Sequence, residues 1–359
     1  MHLSERIDTF AALGDYLRQP AHEPELADIA ELANRQNNWF VPTNSRKALR
    51  AIADAFLTAE KLTAWTSAYQ PDDQTRPPKR VGVVMAGNIP AVGFHDLLSV
   101  LVSGHHLLAK LSTQDFVLIH YLIQKIKDIN PAFAERITLA ERLNDADAFI
   151  TTGSDNTARY FEYYFGNRPH IIRKNRTSVG LLMGAETDED LSLLGDDMLS
   201  YYGLGCRNVS TLLVPDDEDG TRYAFDRLLR TLEPRAPEFL NHHKYLNNYD
   251  YNKSIYLVNR VPHLDNGFLL VTQNETGFVS PISVIYYQTY TTQADAAAIL
   301  AHHADKIQVV ASANRGDGNG WYQNADTLPT VTFGQTQRPG LTDYADGIDT
   351  MAFLTSLGD

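Results

Sequence analysis

A single cysteine, Cys206, stands in a stretch whose residue types could support thiol chemistry. Gly203 and Gly205 precede it, and Arg207 follows directly. Glycines leave room for a ligand, while a nearby cation and backbone N–H groups favour the reactive thiolate. A lone cysteine can also simply fill space in a core, and the negative end of a preceding helix disfavours a thiolate. The local sequence therefore leaves both roles of Cys206 open.

Regular elements are predicted on both sides of this cysteine. Residues 188–202 carry apolar side chains at a helical period, and the two glycines suit the end of that helix. Residues 209–214 form an apolar, β-branched run that ends before Pro215, as expected of a buried strand. Cys206 is thus predicted to lie in a loop between a helix and a strand, where functional residues concentrate.

Upstream, short apolar strands alternate with helical segments, which predicts βαβ units and a parallel sheet. The strands are predicted at residues 81–85, 107–110, 137–139 and 148–151. Asn88, Lys110 and the pair Gly153 and Ser154 follow strand ends, where such sheets bind ligands beside helix N-termini. This pattern indicates a nucleotide crevice without a G-x-G-x-x-G fingerprint. Alternatively, Asn88 is a turn residue before Pro90, and Gly153 and Ser154 are a helix cap.

The remaining segments complete an α/β pattern. Residues 1–69 read as amphipathic helices, residues 71–80 as a connection and residues 314–320 as a surface loop. Further strands are predicted near residues 178–183, 254–258, 268–271, 282–287 and 307–310. The glycine-punctuated tail from residue 331 is expected to be exposed.

The bulk properties exclude several classes of partner and site. A formal net charge of -13 argues against nucleic acid and anionic membranes, since both attract basic surfaces. One cysteine excludes an internal disulfide framework and suits a reducing compartment. The N-terminus lacks the apolar core of a signal peptide, and no apolar run could span a bilayer, so we expect a cytoplasmic protein. Three adjacent histidine pairs do not suggest a metal site, because neighbouring side chains point apart.

Four motifs occur in an order that resembles the aldehyde dehydrogenase superfamily. They are the stretches 87–90 (Gly-Asn-Ile-Pro), 104–112 (containing Lys110 and Ser112), 149–154 (Phe-Ile-Thr-Thr-Gly-Ser) and 203–206 (Gly-Leu-Gly-Cys). With its tail, residues 333–354, the chain more closely resembles the acyl-CoA reductase family that includes the fatty-acid reductase of bacterial bioluminescence. The resemblance implies an α/β fold, aldehyde-dehydrogenase-like, with a Rossmann-type cofactor domain and an α/β catalytic domain. We therefore predict a helical segment at residues 1–80, a cofactor domain at 81–177, a catalytic domain at 178–330 and a tail at 331–359 with a candidate role in oligomerisation.

The resemblance also implies roles for individual residues. Cys206 would be the nucleophile that takes the acyl group as a thioester, and the Asn88 amide would stabilise the oxyanion together with the cysteine's own N–H. The cofactor-binding residues implied are Lys110, Ser112 and Thr113 near the adenosine ribose, Gly153 and Ser154 near the pyrophosphate, and Glu275 near the nicotinamide ribose. The alignment at the last position admits Thr276 as well.

One departure from the superfamily points to the reaction. Oxidative members carry a glutamate that activates water to hydrolyse the thioester, but residues 172–178 here contain no carboxylate. We therefore expect NAD(P)H-dependent reduction of an acyl-CoA, or another acyl thioester, to an aldehyde. The alternatives are reduction of another activated acyl group, oxidation of an aldehyde, and a non-catalytic binding protein of the same fold.

The turn after Lys110 predicts the cofactor, and the family pattern predicts the assembly. No acid occurs before Asp115, and the Lys110 ammonium with the Ser112 and Thr113 hydroxyls could bind a 2′-phosphate. The bland alternative is that these residues end a strand and cap a helix starting near Gln114. We expect NADPH, with NADH possible, and a homodimer.

Overall fold

The chain folds into two compact units. A computed structural model describes residues 1–69, 77–153, 155–216, 223–313 and 328–357 of the 359. The first unit comprises Met1–Asn175 with Arg338–Asp359, and the second comprises Arg176–Gln337. Within the described ranges, the first unit holds a five-stranded sheet and the second a seven-stranded sheet. The predicted α/β architecture is confirmed. Ser154 and residues 314–320, for which a helix start and a loop were predicted, lie outside the described residues.

Four helices open the first unit, as the apolar stripes of residues 1–69 predict. They are α1 (Leu3–Arg18), α2 (Glu23–Gln36), α3 (Pro42–Ala55) and α4 (Ala59–Ser67). Their apolar faces share one hydrophobic core with the sheet that follows, including the fully buried Phe10 and Leu62. Arg6 is also buried in this core, where its Nε donates to the Val102 carbonyl at 2.9 Å. These helices are therefore an integral layer of the first unit.

The first sheet has the strand order of a nucleotide-binding α/β domain. Its elements are β1 (Arg80–Val84), α5 (Phe94–Val102), β2 (His106–Lys110), α6 (Phe116–Ile129), β3 (Ile137–Leu139), β4 (Ala148–Thr152), α7 (Asp155–Phe165) and β5 (His170–Arg173). The order is β3-β2-β1-β4-β5, and every pairing is parallel. The order reverses at β1, and in such sheets the ligand crevice lies beyond the carboxyl ends of the strands at that point. The loops after β1, β2 and β4 are consequently the ones that matter for binding.

The second unit is built on a larger, mostly parallel sheet. Its elements are β6 (Thr177–Leu181), α8 (Asp188–Leu199), β7 (Val209–Pro215), α9 (Asp226–Leu232), α10 (Ala236–Leu240), α11 (His243–Val258), β8 (Leu264–Asp265), β9 (Leu270–Gln273), β10 (Val284–Tyr290), α12 (Gln293–His302), β11 (Ile307–Ser312) and β12 (Thr330–Thr332). Among the described residues the order is β12-β11-β6-β7-β10-β9-β8, in which β8 and β9 pair antiparallel and the other neighbours pair parallel. β7, which follows Cys206, therefore lies near the middle of the sheet.

Two predictions about local structure are wrong. Residues 254–258, predicted as a strand, form the last turns of helix α11, where Leu257 and Val258 are exposed. A short apolar run alone does not distinguish a strand from part of a helix, and here the helix continues from His243. The tail from residue 331 is also not exposed along its whole length. Residues 338–357 return to the first unit, where Met351 and Leu354 of α13 (Thr350–Ser356) are fully buried.

Candidate active site

A left-handed turn carries the chain from α8 towards Cys206. The helix ends at Leu199, earlier than the predicted residue 202, because Tyr201, Tyr202 and Gly203 adopt positive φ angles of 52°, 60° and 77°. This conformation costs a non-glycine residue about 1–2 kcal/mol. Aromatic packing holds the turn in place, since the buried Tyr202 contacts the rings of Phe239, His242 and Tyr245. The aromatic packing around Tyr202 therefore stabilises the left-handed turn.

A buried amide closes the Cys206 loop (residues 204–208). The Asn208 Nδ2 donates to the carbonyl oxygens of Asp197 at 3.0 Å, Ser200 at 2.9 Å and Met198 at 3.4 Å. Its Oδ1 accepts from the Gly205 N–H at 2.8 Å. One side chain thus satisfies the carbonyl groups at the end of α8 and fixes the loop onto that helix end. Hydrogen bonds therefore hold the loop at Gly205 and at Asn208, on both sides of the cysteine.

Cys206 itself is half-buried within this loop. Its carbonyl oxygen accepts a hydrogen bond from the Ser178 Oγ of β6 at 3.2 Å. Arg207, next in sequence, is also half-buried. The helix dipole acts mainly within the last turn of a helix, and the left-handed turn separates Cys206 from the end of α8. The arrangement is compatible with a reactive thiol on a fixed backbone.

Glu275 lies in a second loop that is tied to β7. Beyond the end of β9, the Asn274 Oδ1 accepts from the N–H groups of Thr276 and Gly277, which leaves Glu275 exposed. The Phe278 carbonyl then accepts from the hydroxyls of Ser210 and Thr211, each at 2.7 Å. The Glu275 loop is therefore tied to β7, the strand that directly follows the Cys206 loop in sequence.

In the first unit, the Asn88 loop (residues 85–93) follows β1 and carries an exposed Asn88. Ala91 has a φ of 56°, and its N–H donates to the Asp115 Oδ2 at 2.8 Å. Gly87 packs so tightly that an added Cβ would lie 2.3 Å from the Ser112 Oγ. The loop is therefore held on its inner side while Asn88 stays accessible.

The predicted cofactor residues of the first unit lie at one edge of the sheet. Val84 of β1 pairs with Lys110 of β2 and with Thr151 of β4, so the ends of these strands are level. Lys110 and Thr113 are exposed, and Ser112 is half-buried with its Oγ accepting from the Gln114 N–H at 3.2 Å. Helix α6 begins at Phe116, two residues later than predicted, and Asp115 occupies its N-cap position.

The donors at this edge suit an anionic nucleotide. The exposed Lys110 ammonium ends β2, and two hydroxyls follow it. The N-terminus of α7 follows Gly153, whose N–H donates to the Arg173 carbonyl at 3.2 Å. The acid that ends the turn, Asp115, is only 2% exposed, so it presents no carboxylate to a bound phosphate. The residues present therefore fit a phosphate-bearing cofactor.

The stretch that lacks the glutamate contains a buried ion pair instead. The Arg173 Nη1 donates to the Asp96 Oδ1 and Oδ2 at 2.8 and 2.7 Å, and its Nη2 donates to the Thr350 Oγ1 at 2.7 Å. All three side chains are buried. Arg173 thus joins the end of β5 to the starts of α5 and α13, which gives this residue a structural role.

Sequence reasoning missed the residues that hold the two loops, Asp115 and Asn208. The only available signals were an acid at the end of a polar turn and an asparagine directly before a β-branched run. Both patterns are common at helix and strand ends, so neither indicates a partner.

Comparison with solved structures decides the fold. A protein from Burkholderia cenocepacia assigned to the aldehyde dehydrogenases superposes with a TM-score of 0.69 at 14% identity, over 99% of this chain and 85% of that one. The chain has the aldehyde dehydrogenase fold. The Mycobacterium tuberculosis aldehyde dehydrogenase complexed with NAD+ gives a TM-score of 0.64 at 15% identity, over 92% of this chain and 77% of that one. Aldehyde dehydrogenase 21 from Physcomitrella patens, in complex with the reaction product succinate, gives a TM-score of 0.66 at 10% identity, over 98% of this chain and 79% of that one.

At the level of sequence, no protein-family model and no curated protein matches the chain. The aldehyde dehydrogenase fold divides the predicted site residues between its two units. Asn88, Lys110, Ser112, Thr113 and Gly153 belong to the first unit, while Cys206 and Glu275 belong to the second. Across the described ranges, no helix is long and apolar enough to cross a bilayer. Within the same residues, no cluster of three or more histidine, cysteine, aspartate or glutamate side chains could hold a metal ion.

Proposed function

We propose that this protein is an oxidoreductase that reduces an acyl-CoA, or another acyl thioester, to an aldehyde with NADPH. The observation that carries the proposal is the Cys206 loop, in which a half-buried thiol lies on a backbone fixed by Asn208 within an aldehyde dehydrogenase fold. A fixed backbone holds a nucleophile in the geometry that attack requires. The absence of a carboxylate between residues 172 and 178 favours reduction over hydrolysis.

In the first half of the proposed reaction, the Cys206 thiolate attacks the carbonyl carbon of the thioester. The new carbon–sulfur bond forms first, and the carbonyl electron pair moves onto the oxygen to give a tetrahedral intermediate. As that intermediate collapses, the substrate carbon–sulfur bond breaks and the coenzyme A thiolate leaves. The Asn88 side-chain N–H and the Cys206 backbone N–H would donate to the oxyanion of the tetrahedral intermediate. Two such donors stabilise charge that develops only during the reaction.

In the second half, the acyl group bound to Cys206 is reduced and released. NADPH, when bound, supplies the hydride. The hemithioacetal on Cys206 then collapses to the aldehyde and regenerates the thiolate. Arg173 is held in an ion pair with Asp96 and offers no base to activate water. We therefore expect acyl-enzyme hydrolysis to be much slower than turnover.

Mass spectrometry tests the nucleophile directly. Mixing the protein with an acyl-CoA in the absence of cofactor should add one acyl group, located on the peptide that contains Cys206. Cys206→Ala should show no adduct and no aldehyde production. Full reductase activity in that variant would overturn the proposal. Release of free acid from the acyl-enzyme at the rate of overall turnover would show that the enzyme is a hydrolase instead.

The preference for NADPH rests on the turn after β2. Lys110 would pair with the 2′-phosphate, while the hydroxyls of Ser112 and Thr113 would donate to it. Steady-state kinetics should give a higher kcat/KM for NADPH than for NADH, and Lys110→Ala should narrow that difference. A higher kcat/KM for NADH that Lys110→Ala leaves unchanged would show that this turn does not bind the phosphate.

The proposed partners are the acyl thioester, the cofactor and a second copy of the chain. The homodimer is a prediction from the family resemblance, as is the cytoplasmic location. Analytical ultracentrifugation at several protein concentrations checks the dimer, and a monomer at all of them would contradict it.

A further inference from the structure

The buried carboxylate Asp115 has a hydrogen-bonding pattern that does not match its position. It occupies the N-cap of α6, where an aspartate normally accepts from the first backbone N–H groups of its helix. The Asp115 side chain makes no such bond and accepts instead from the Ala91 N–H in the Asn88 loop. Its second oxygen, Oδ1, accepts from no described residue. The Asp115 side chain therefore bonds the Asn88 loop and leaves the N-terminus of its own helix without a side-chain cap.

This arrangement is costly for the fold. Burial of a carboxyl group with an unpartnered oxygen is unfavourable, and it raises the pKa of Asp115 well above its ordinary value. Ala91 also adopts a φ of 56°, which non-glycine residues resist. Two unfavourable features at one hydrogen bond suggest that the position of the loop matters for function.

The same hydrogen bond joins two parts of the candidate site. Asp115 ends the turn that contains Ser112, and Gly87 packs against the Ser112 side chain one residue before Asn88. Because the Ala91 bond and the Gly87 contact flank Asn88 in sequence, they restrain the loop on both sides of it. The turn that would bind the cofactor is thereby connected to the loop that would bind the oxyanion.

We infer that Asp115 is a positioning residue, which fixes the Asn88 amide relative to the cofactor-binding turn. The expected effect of Asp115 on catalysis rests on the proposed function. The restraint that Asp115 places on the Asn88 loop can be measured independently of that function. Asp115 would act through the Ala91 N–H and would contact neither substrate nor cofactor. Only the acceptor oxygen is needed for this role, so an asparagine should replace it.

Three variants test the inference in the full-length protein. Asp115→Ala should lower kcat by about 10- to 100-fold, the loss expected when a reacting group is displaced by about an ångström. Its KM for NADPH should stay close to that of the wild type. Asp115→Asn, which keeps an acceptor for Ala91, should restore most of kcat. Gln36→Ala is the matched control, because Gln36 donates to the Thr113 carbonyl of the same turn but not to the Asn88 loop, and it should leave kcat unchanged.

Hydrogen–deuterium exchange supplies a readout that does not depend on activity. Residues 86–93 should exchange faster in Asp115→Ala than in the wild type, and Asp115→Asn should resemble the wild type. If Asp115→Ala folds poorly, Gly87→Ala provides a second variant, since its added Cβ would push the loop away from Ser112.

The outcomes separate the inference from the proposed function. Unchanged exchange at residues 86–93 in Asp115→Ala would overturn the inference, as would an Asp115→Asn variant as impaired as the alanine variant. A wild type that produces no aldehyde, combined with faster loop exchange in Asp115→Ala, would refute the proposed function and leave the restraint on the loop established.

Discussion

The Cys206 loop is held by the buried side chain of Asn208, and the Asn88 loop is held by that of Asp115. The two side chains differ in how many of their polar atoms have hydrogen-bond partners. Asn208 makes four hydrogen bonds and uses both its amide nitrogen and its amide oxygen. Asp115 makes one bond to the Asn88 loop, and its other oxygen has no partner among the described residues. A fully satisfied buried group stabilises a fold, whereas a half-satisfied one detracts from stability. The comparison separates a residue that maintains structure from one better explained by function.

The largest effect should follow from removing Asn208. Asn208→Ala leaves the carbonyl groups at the end of α8 and the Gly205 N–H without partners, so we expect it to lower the free energy of unfolding by about 3–4 kcal/mol. Urea-induced unfolding followed by circular dichroism measures this change. Asn248→Ala is the control, because the half-buried Asn248 side chain donates to the Lys244 carbonyl of its own helix α11 and to no loop of the candidate site among the described residues. Equal effects of the two variants would refute the structural role of Asn208.

Asn88→Ala should have the opposite profile. Because Asn88 is exposed, the loss of its side-chain interactions should change the free energy of unfolding by about 1 kcal/mol or less. The loss of an oxyanion donor should lower the rate of acyl transfer by roughly 100- to 1,000-fold. Stopped-flow measurement of coenzyme A release gives that rate, with the exposed Asn144 changed to alanine as the control. A normal rate in Asn88→Ala would remove Asn88 from the mechanism.

The same comparison shows which parts of the molecule can be predicted from sequence. Buried strands such as β1 and β7 can be predicted because each is a run of apolar residues that are adjacent in sequence. Strand β5 escaped prediction because its four residues include a histidine and an arginine at the ends. The residues that hold the site depend on distant partners. Asp115 bonds a residue 24 positions away, and Arg173 bonds Asp96 over 77 positions. No periodicity or local propensity encodes those pairs.

The loop that carries Cys206 can be predicted from the sequence, for a physical reason. Cys206 is the only cysteine, and its neighbouring glycines mark a loop where the chain cannot continue a helix. The residues that shape the loop were less visible. Tyr201 and Tyr202 adopt left-handed conformations that tyrosine does not favour, so their sequence gives no sign of the turn. Only the surrounding aromatic packing explains it.

The pH dependence of the free energy of unfolding should distinguish the ionisable Asp115 from an uncharged hydrogen-bond acceptor at the same position. Because burial raises the pKa of Asp115 in the folded state, its contribution is fully present below the unfolded pKa and is lost as pH rises through the folded pKa. Relative to Asp115→Asn, the wild type should therefore lose stability from about pH 4 upward, where an unfolded aspartate ionises. Urea unfolding of both proteins between pH 4 and pH 8 measures the difference. Parallel curves would show that Asp115 titrates normally.

The smallest effect should come from Ala91, whose backbone joins the Asn88 loop to Asp115. Ala91→Gly removes the cost of a positive φ, about 1–2 kcal/mol. It also adds unfolded-state freedom, about 0.5–1 kcal/mol, and loses a buried methyl group, about 0.8 kcal/mol. These changes nearly cancel, so the free energy of unfolding should shift by less than about 1 kcal/mol.

The rate should still respond to Ala91→Gly, because a glycine lets the Asn88 loop explore more conformations. If the added freedom of about 0.5–1 kcal/mol is expressed in the loop, acyl transfer should slow by about two- to fivefold. Stopped-flow kinetics beside urea unfolding of the same variant gives both quantities. A rate unchanged within error would mean that the Asp115 bond alone fixes the loop. A loss above tenfold with unchanged stability would mean that the Ala91 methyl group itself contributes to the position of Asn88.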